Sequence, residues 1–269
     1  MTPPVAPAGA RLKDKVILVT GSATGIGEGM ARRFLFEGAL VMLHDRKADG
    51  LQALASDLGS NSSYVVGDLE DPKIPARLID QTVAHFGRLD GLVNNAAVKT
   101  RGSIEDTDED AFDLTVDVNL KAPFFLIRAA IPHFRRQGGG RILNIGSINA
   151  YCGEKNQCIY SALKGALMTL TRNLADAHGA EGIRVNQINP GWTLTPNELA
   201  LKATEGLPPD WPSRLPAAYA PGGRLFSPED VAAAAVYLLS DEAALLNGAV
   251  LDLEQYPMIG RNPPKEMPS

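Results

Sequence analysis

Cysteine is nearly missing from this chain of 269 residues, where only Cys152 and Cys158 occur. Two thiols are too few for a disulfide framework, and these stand too far apart for a C-x-x-C redox pair. Reduced thiols in a cytoplasmic protein are expected. No apolar run approaches the roughly 20 residues that span a bilayer, so no membrane partner is expected. The stretch Met1–Gly9 is rich in proline and alanine and lacks the apolar core of a signal peptide. Residues 1–12 are therefore read as a flexible tail and 13–269 as a single domain. Basic excess is lacking too. A formal net charge of −5 and a pI near 5.4 argue against a nucleic-acid binder. No internal repeat or second domain shows, and no metal site is read.

What is present is a rhythm. Short apolar runs at Val16–Thr20, Ala39–His44, Ser63–Val66, Leu89–Asn94, Arg141–Ile145, Arg184–Ile188 and Ala249–Leu253 alternate with helical patterns. Those patterns cover Ile26–Glu37, Leu51–Leu58, Ile74–Phe86, Glu109–Arg136, Ile159–Ala177 and Pro228–Leu239. Several runs are apolar throughout, as parallel strands covered on both faces are. Ser227-Pro228-Glu229-Asp230 supplies the last helix with a cap, a first-turn proline and two acids near the positive end of its dipole. The alternation predicts βαβ units and a doubly wound, Rossmann-like α/β fold of about seven parallel strands with helices on both faces. Thr193–Leu225 breaks it, with Pro196, Pro208, Pro209, Pro212, Pro216 and Pro221 and only a short helical stretch at Asn197–Thr204. Long irregular connections are usually lids or disordered segments. Leu199, Leu207, Trp211, Leu215 and Tyr219 give this one something to pack, which favours a lid.

The first chemical signal follows the first strand, at Thr20-Gly21-Ser22-Ala23-Thr24-Gly25-Ile26-Gly27. Glycines allow a sharp turn and let a pyrophosphate approach the N-terminal amides of the next helix. The spacing is G-x-x-x-G-x-G, unlike the G-x-G-x-x-G of long-chain dehydrogenases. A tight turn with no ligand is the bland alternative. Asp45 ends the second strand, where an acid accepts hydrogen bonds from the adenosine ribose hydroxyls. A 2′-phosphate there would meet repulsion of about 4 kcal/mol per charge pair at a surface-like dielectric. NAD is thus favoured over NADP, although Arg46 next door offers a guanidinium to such a phosphate.

The second signal is Tyr160 with Lys164, four residues apart and so on one helical face. A nearby ammonium stabilises a phenolate, which lets tyrosine act as general base in alcohol oxidation and general acid in ketone reduction. Any amphipathic helix can hold such a pair by chance.

Taken together, these motifs resemble the short-chain dehydrogenase/reductase family, over about Lys13 to Asp252. Asn94-Asn95-Ala96-Ala97 is similar to its Asn-Asn-Ala-Gly motif, with alanine in the last place. Asn119 matches its helix asparagine, Ser147 its substrate-holding serine, and Asn189-Pro190-Gly191 its nicotinamide-side turn. Asp68, in Gly67-Asp68-Leu69, fits the acid beside the adenine. The resemblance implies four catalytic residues. Ser147 would hold the reacting oxygen, Tyr160 would exchange its proton, Lys164 would bind the nicotinamide ribose and tune the tyrosine, and Asn119 would hold a water in the proton path. It implies a cofactor site from Gly21, Ser22, Thr24, Gly25, Ile26, Gly27, Asp45, Arg46, Asp68, Leu69, Asn95, Ala96 and Ala97. Tyr160, Lys164, Pro190, Gly191, Trp192 and Thr193 complete it. A homo-oligomer, tetramer or dimer, is implied as well. Asn94 has a structural alternative as a bridge between strands. Where the family often reads Val-Asp-Gly-Gly, this chain has Leu253-Glu254-Gln255-Tyr256-Pro257, so a different C-terminal tail is expected from about residue 254 through Ile259 and Arg261 to Ser269.

The expected pocket walls carry Lys99, Arg101, Asn149, Glu154, Lys155, Gln157, Trp192, Asn197 and Glu198. A steroid or acyl chain wants a mostly apolar pocket. A small sugar, polyol or sugar acid is expected instead, held by Lys99, Arg101, Ser147, Asn149, Gln157 and Trp192, with Lys99, Arg101 or Lys155 free to pair with an acidic group. Competing readings are an NADP-dependent 3-oxoacyl-type reductase, an NAD-using epimerase, and a non-catalytic dinucleotide sensor.

Overall fold

The computed structural model describes residues 9–256. Seven parallel strands form one sheet: β1 (Val16–Thr20), β2 (Leu40–Asp45), β3 (Ser62–Val66), β4 (Gly91–Asn94), β5 (Gly140–Ile145), β6 (Ile183–Pro190) and β7 (Val250–Leu253). Their order is β3-β2-β1-β4-β5-β6-β7. The chain builds outward from β1 in one direction, then returns to β4 and builds in the other. The strand order therefore reverses between β1 and β4, and in such sheets ligands sit beyond the carboxyl ends of the strands at that switch point.

Both faces are covered, which is why β1, β4 and β6 are buried at every position. On one face lie α1 (Gly25–Phe36), α2 (Ala48–Leu58) and α9 (Pro228–Leu239), around a core that includes Met30, Phe34, Leu51 and Val236. On the other lie α3 (Ile74–Phe86), α5 (Ala122–Arg136) and α7 (Cys158–His178), around Leu78, Leu126, Phe134 and Val185. The expected doubly wound α/β fold is the observed one. Ser227 caps α9 in a reciprocal box with Asp230, and Arg224 pairs with the same carboxylate. These contacts hold the Asp230 carboxyl well below the usual range.

Three readings of the sequence need correction. Leu12 is fully buried, so packed structure begins before residue 13. The expected helix Glu109–Arg136 is α4 (Glu109–Val116) and α5 with a π-helical turn, Asp117–Lys121, between them. The strand expected to end at Ile188 runs on to Pro190, directly into the cleft. Two further helices are short: α6 (Asn149–Cys152) and α8 (Pro196–Thr204). The expected tail positions Pro257, Ile259, Arg261 and Ser269, and most of the N-terminal tail, lie outside the described residues.

Candidate active site

At the carboxyl ends of the strands lies a cleft of about 450 Å³, whose walls include Ile26, Asn95, Ser147, Tyr160, Lys164 and Trp192. Its cofactor side is built by the turn between β1 and α1. A Cβ on Gly27 would lie 2.2 Å from the Gly21 carbonyl oxygen, and one on Gly21 would lie 2.8 Å from Ala96 Cα. The loops therefore close on each other as tightly as glycine permits. Asn95 laces them: its Nδ2 donates to the carbonyls of Thr20 (2.8 Å) and Gly21 (3.0 Å). Thr20 Oγ1 accepts from the Asn95 and Ala96 amides. Thr24 begins α1 without a side-chain cap, so the first-turn amides keep their capacity for an anion. This cradle fits a pyrophosphate.

Asp45 closes the far end of the cradle. Its Oδ2 accepts from the Ala23 amide at 3.4 Å and its Oδ1 from the Lys47 amide at 3.2 Å. Arg46 and Asp68 are exposed beside it, while Leu69 is buried in the core. Ser22 needs correction as a cofactor contact. It is fully buried, and its hydroxyl exchanges hydrogen bonds with the backbone of His44. Burial pushes the His44 imidazole down to about 4, so it stays neutral and bonds the Gly67 carbonyl through Nε2.

On the other side, Tyr160 stands in the first turn of α7 with Lys164 one turn along. Ser147, just beyond β5, stands beside Tyr160 in the cleft. Burial pushes the phenol up to about 12, and the Ser147 hydroxyl opposes the rise. Lys164 is buried, donates to the Ile145 carbonyl at 2.7 Å, and is pushed down to about 8. Its Nζ lies 5.5 Å from the Tyr160 ring centroid. Near neutral pH the pair is therefore a phenol beside an ammonium.

Asn119 lies within the π-helical turn and outside the cleft lining. Its Oδ1 accepts from the Val98 amide and its Nδ2 donates to the Val98 carbonyl, both at 2.8 Å. The side-chain amide is engaged at both ends and clamps the loop after β4.

Lys99 and Arg101 reach the cleft from that same loop, and each faces an acid of the lid. Lys99 Nζ lies 3.7 Å from Glu198 on α8, and Arg101 lies 2.5 Å from Glu205. Lys202 also pairs with Glu205, at 2.7 Å. The lid is thereby tied across the cleft by opposite charges. Trp192 stacks on Trp211 at 5.3 Å, and Leu194, Leu207 and Leu215 pack around them, giving the lid a small core of its own. Asn149 donates to Gln157, which donates to Glu154 at 2.6 Å. Lys155 and Asn197 are exposed. Past β7 the chain turns back over the lid: Gln255 bonds Gly222 and Arg224, and the Tyr256 hydroxyl bonds the Ala217 carbonyl.

Sequence reasoning offered Asn94 as a bridge between strands, which it is, but missed the rest of a buried polar chain beneath the site. Asn94 Nδ2 donates to Asn144, Asn144 to Thr171, and Thr171 Oγ1 to Gln187 Oε1. Gln187 donates to Asn189, and Asn189 to Asp252. The available signal was polar residues inside otherwise apolar strands. Among the described residues no helix is long and apolar enough to cross a membrane.

Such a sheet, with such a cradle and a tyrosine–lysine pair facing it, is the architecture of a nicotinamide-dependent oxidoreductase. Residues 21–254 match a family model described as enoyl-(acyl carrier protein) reductase. An uncharacterized oxidoreductase of Thermotoga maritima is 37% identical, over 90% of this chain and 96% of that one. A D-threitol dehydrogenase of Mycolicibacterium smegmatis is 36% identical, over 91% and 93%. The crystal structure of a 3-ketoacyl-(acyl-carrier-protein) reductase from Brucella melitensis complexed with NADH superposes with a TM-score of 0.82 at 33% identity, covering 90% of this chain and 98% of that one. The chain belongs to the short-chain dehydrogenase/reductase family and is an NAD(P)-dependent dehydrogenase acting on CH–OH groups.

Proposed function

We propose that the protein uses NAD to interconvert an alcohol and a ketone on a small polar substrate: a sugar, polyol or sugar acid. The observation that carries this reading is Ser147 beside Tyr160, with buried Lys164 next to them, at a cleft whose walls carry charged side chains, among them Lys99, Arg101, Glu198 and Lys202. The turn Gly21–Gly27 would hold the pyrophosphate and Asp45 the adenosine ribose. Asn95, Ala97 and Pro190–Thr193 line the cleft toward the nicotinamide half. When bound, the dinucleotide supplies the hydride donor or acceptor.

The rest falls to the chain. Ser147 and Tyr160 present two hydroxyls to one substrate oxygen, fixing its place. In reduction Tyr160 gives that oxygen its proton, and the burial that keeps it neutral suits it as an acid. In oxidation it must accept the proton, and the Lys164 ammonium and the Ser147 hydroxyl favour the phenolate. Asp45, with one oxygen on the Ala23 amide of the cradle and the other on the Lys47 amide, supports NAD over NADP by repelling a 2′-phosphate. Similarity to a D-threitol dehydrogenase supports a polyol. The 3-oxoacyl-type reductase reading has support from the Brucella neighbour, but the charged walls suit a short hydroxylated molecule better. A cytoplasmic homo-oligomer belongs to the proposal, supported by Leu251 and Leu245, exposed at and beside the edge strand β7.

The test follows nicotinamide absorbance with NAD or NADP against sugars, polyols, sugar acids and 3-oxoacyl thioesters. Turnover of a sugar-like compound with NAD is expected, with Tyr160→Phe at least 100-fold slower, in line with the usual worth of a general acid–base. An undiminished Tyr160→Phe would overturn the assignment of the proton carrier. Turnover of the thioesters alone, with NADP, would favour the second reading.

A further inference from the structure

The lid helix α8 opens with Thr195-Pro196-Asn197-Glu198, the spacing of a reciprocal capping box. Thr195 does its half, accepting from the Glu198 amide at 3.1 Å. Glu198 turns elsewhere. Its Oε1 accepts from Trp192 Nε1 at 2.9 Å, and its Oε2 stands 3.7 Å from Lys99. The side chain is largely buried, yet it lines the same cleft as Ser147 and Tyr160. A carboxylate has about four acceptor sites. One is filled by the indole, and the Lys99 contact is longer than a hydrogen bond, so acceptor capacity remains on the cleft side.

The wall cations show the complementary half of the pattern. Lys99 is matched by Glu198, and Arg101 and Lys202 by Glu205. Lys164 is committed to the Ile145 carbonyl and the tyrosine. Glu154 adds a further acid to the wall, bonded to Gln157 and Asn149. The cleft therefore offers acceptors for hydroxyl groups, while Lys99, Arg101 and Lys202 each already face an acid. That is the environment of a neutral polyhydroxylated molecule. A substrate carboxylate would meet Glu198 as a like charge.

Resting on the dehydrogenase reading above, we infer that Glu198 is a specificity-determining residue that accepts substrate hydroxyls and turns away substrates bearing a carboxylate. Within the broad class of sugars, polyols and sugar acids, this selects the neutral members.

The experiment compares threitol, xylitol and glucitol, each against its own aldonate, in wild type and Glu198→Gln. Each pair exchanges one hydroxymethyl group for a carboxylate. Wild type is expected to favour the polyol. Glu198→Gln keeps the shape and the Trp192 partner but drops the charge. It is expected to raise KM for the polyol about tenfold with kcat little changed, since a hydrogen bond to an ion is worth more than one to an amide. The same change leaves Lys99 without its acid and raises kcat/KM for the aldonate at least tenfold. Collapse of the polyol preference is a readout that a merely structural role would not produce. Lys99→Gln serves as the converse variant and covers the case of a misfolded Glu198→Gln: aldonate turnover falls and the polyol-to-aldonate ratio of kcat/KM rises. An unchanged polyol-to-aldonate ratio in Glu198→Gln, a rise in aldonate turnover in Lys99→Gln, or a wild-type preference for aldonates would overturn the inference and leave the dehydrogenase reading standing. Wild type inert on every member of both series would overturn the inference together with the sugar-like substrate reading.

Discussion

Replacing Gly27 with alanine tests whether the cradle holds the dinucleotide. The added Cβ would lie 2.2 Å from the Gly21 carbonyl oxygen and 2.6 Å from Asn95 Nδ2. Neither is the tip of a free side chain. The carbonyl is backbone, and Asn95 Nδ2 is bound to Thr20 and Gly21 at once. Relief therefore needs a shift of about 1 Å in the turn itself, and overpacking of this kind costs about 1–3 kcal/mol. At about 2–4 °C per kcal/mol for a domain of this size, the unfolding midpoint should fall by about 2–12 °C. The same shift takes at least one amide off line with a bound phosphate. A hydrogen bond to a charged group is worth about 1.5–3 kcal/mol, so NADH should bind about 10- to 150-fold more weakly. Fluorescence titration with NADH gives the dissociation constant and calorimetry the midpoint. Gly165→Ala is the control. It lies within α7 with its nearest outside contact at 3.5 Å, so it should gain about 0.5–1 kcal/mol and bind NADH normally. Wild-type NADH affinity in Gly27→Ala would refute the claim that this turn carries the pyrophosphate.

Two other expectations concern stability. Thr171→Val keeps the shape of the side chain but orphans Asn144 Nδ2 and Gln187 Oε1, both buried. A loss of about 2–4 kcal/mol is expected in urea unfolding, and one below 0.5 kcal/mol would show that the polar chain is energetically idle. His44 gives a pH signature. Its pKa falls from the ordinary 6.5 to about 4 on folding, so between those values the unfolded chain binds the extra proton. Stability should be unaffected by this group above pH 6.5 and should decline by about 3 kcal/mol as pH falls to 4. His44→Gln should flatten that limb, and an unchanged slope in the variant would assign it to other groups.

The fold was legible because its strands are apolar throughout and its punctuation is local. Val16–Thr20, Ile74–Phe86 and Pro228–Leu239 have the bounds that periodicity, a proline and a capping serine indicate. The break at Asp117–Lys121 was not legible. Apolar spacing runs through it without interruption, and the turn widens where Asn119 clamps Val98, a contact made 21 residues away in the chain. Lys99 and Arg101 illustrate the same limit in the site. Their sequence shows cations near a pocket, and what compensates them, Glu198 and Glu205, lies about a hundred residues further along on a lid that only the fold brings across.

The polar chain shows why the catalytic residues alone underdescribe this site. Asn189 Oδ1 accepts from the Ser147 amide at 3.2 Å as well as from Gln187. Ser147 in turn stands beside Tyr160 in the cleft. The orientation of the serine is therefore set from below by residues on β6 and β7 that never meet a substrate oxygen. Buried amides without partners are costly, so each link in this chain holds its neighbours to one rotamer. Motif spacing locates Ser147, Tyr160 and Lys164 because they recur at fixed places along the chain. It is silent on Asn144, Thr171 and Gln187, whose spacing in sequence carries no pattern and whose pairing exists only once β4, β5, β6 and α7 have packed. Precision at the reacting oxygen is thus a property of the sheet's interior, and it is there that a substitution far from the cleft should first be felt in the chemistry.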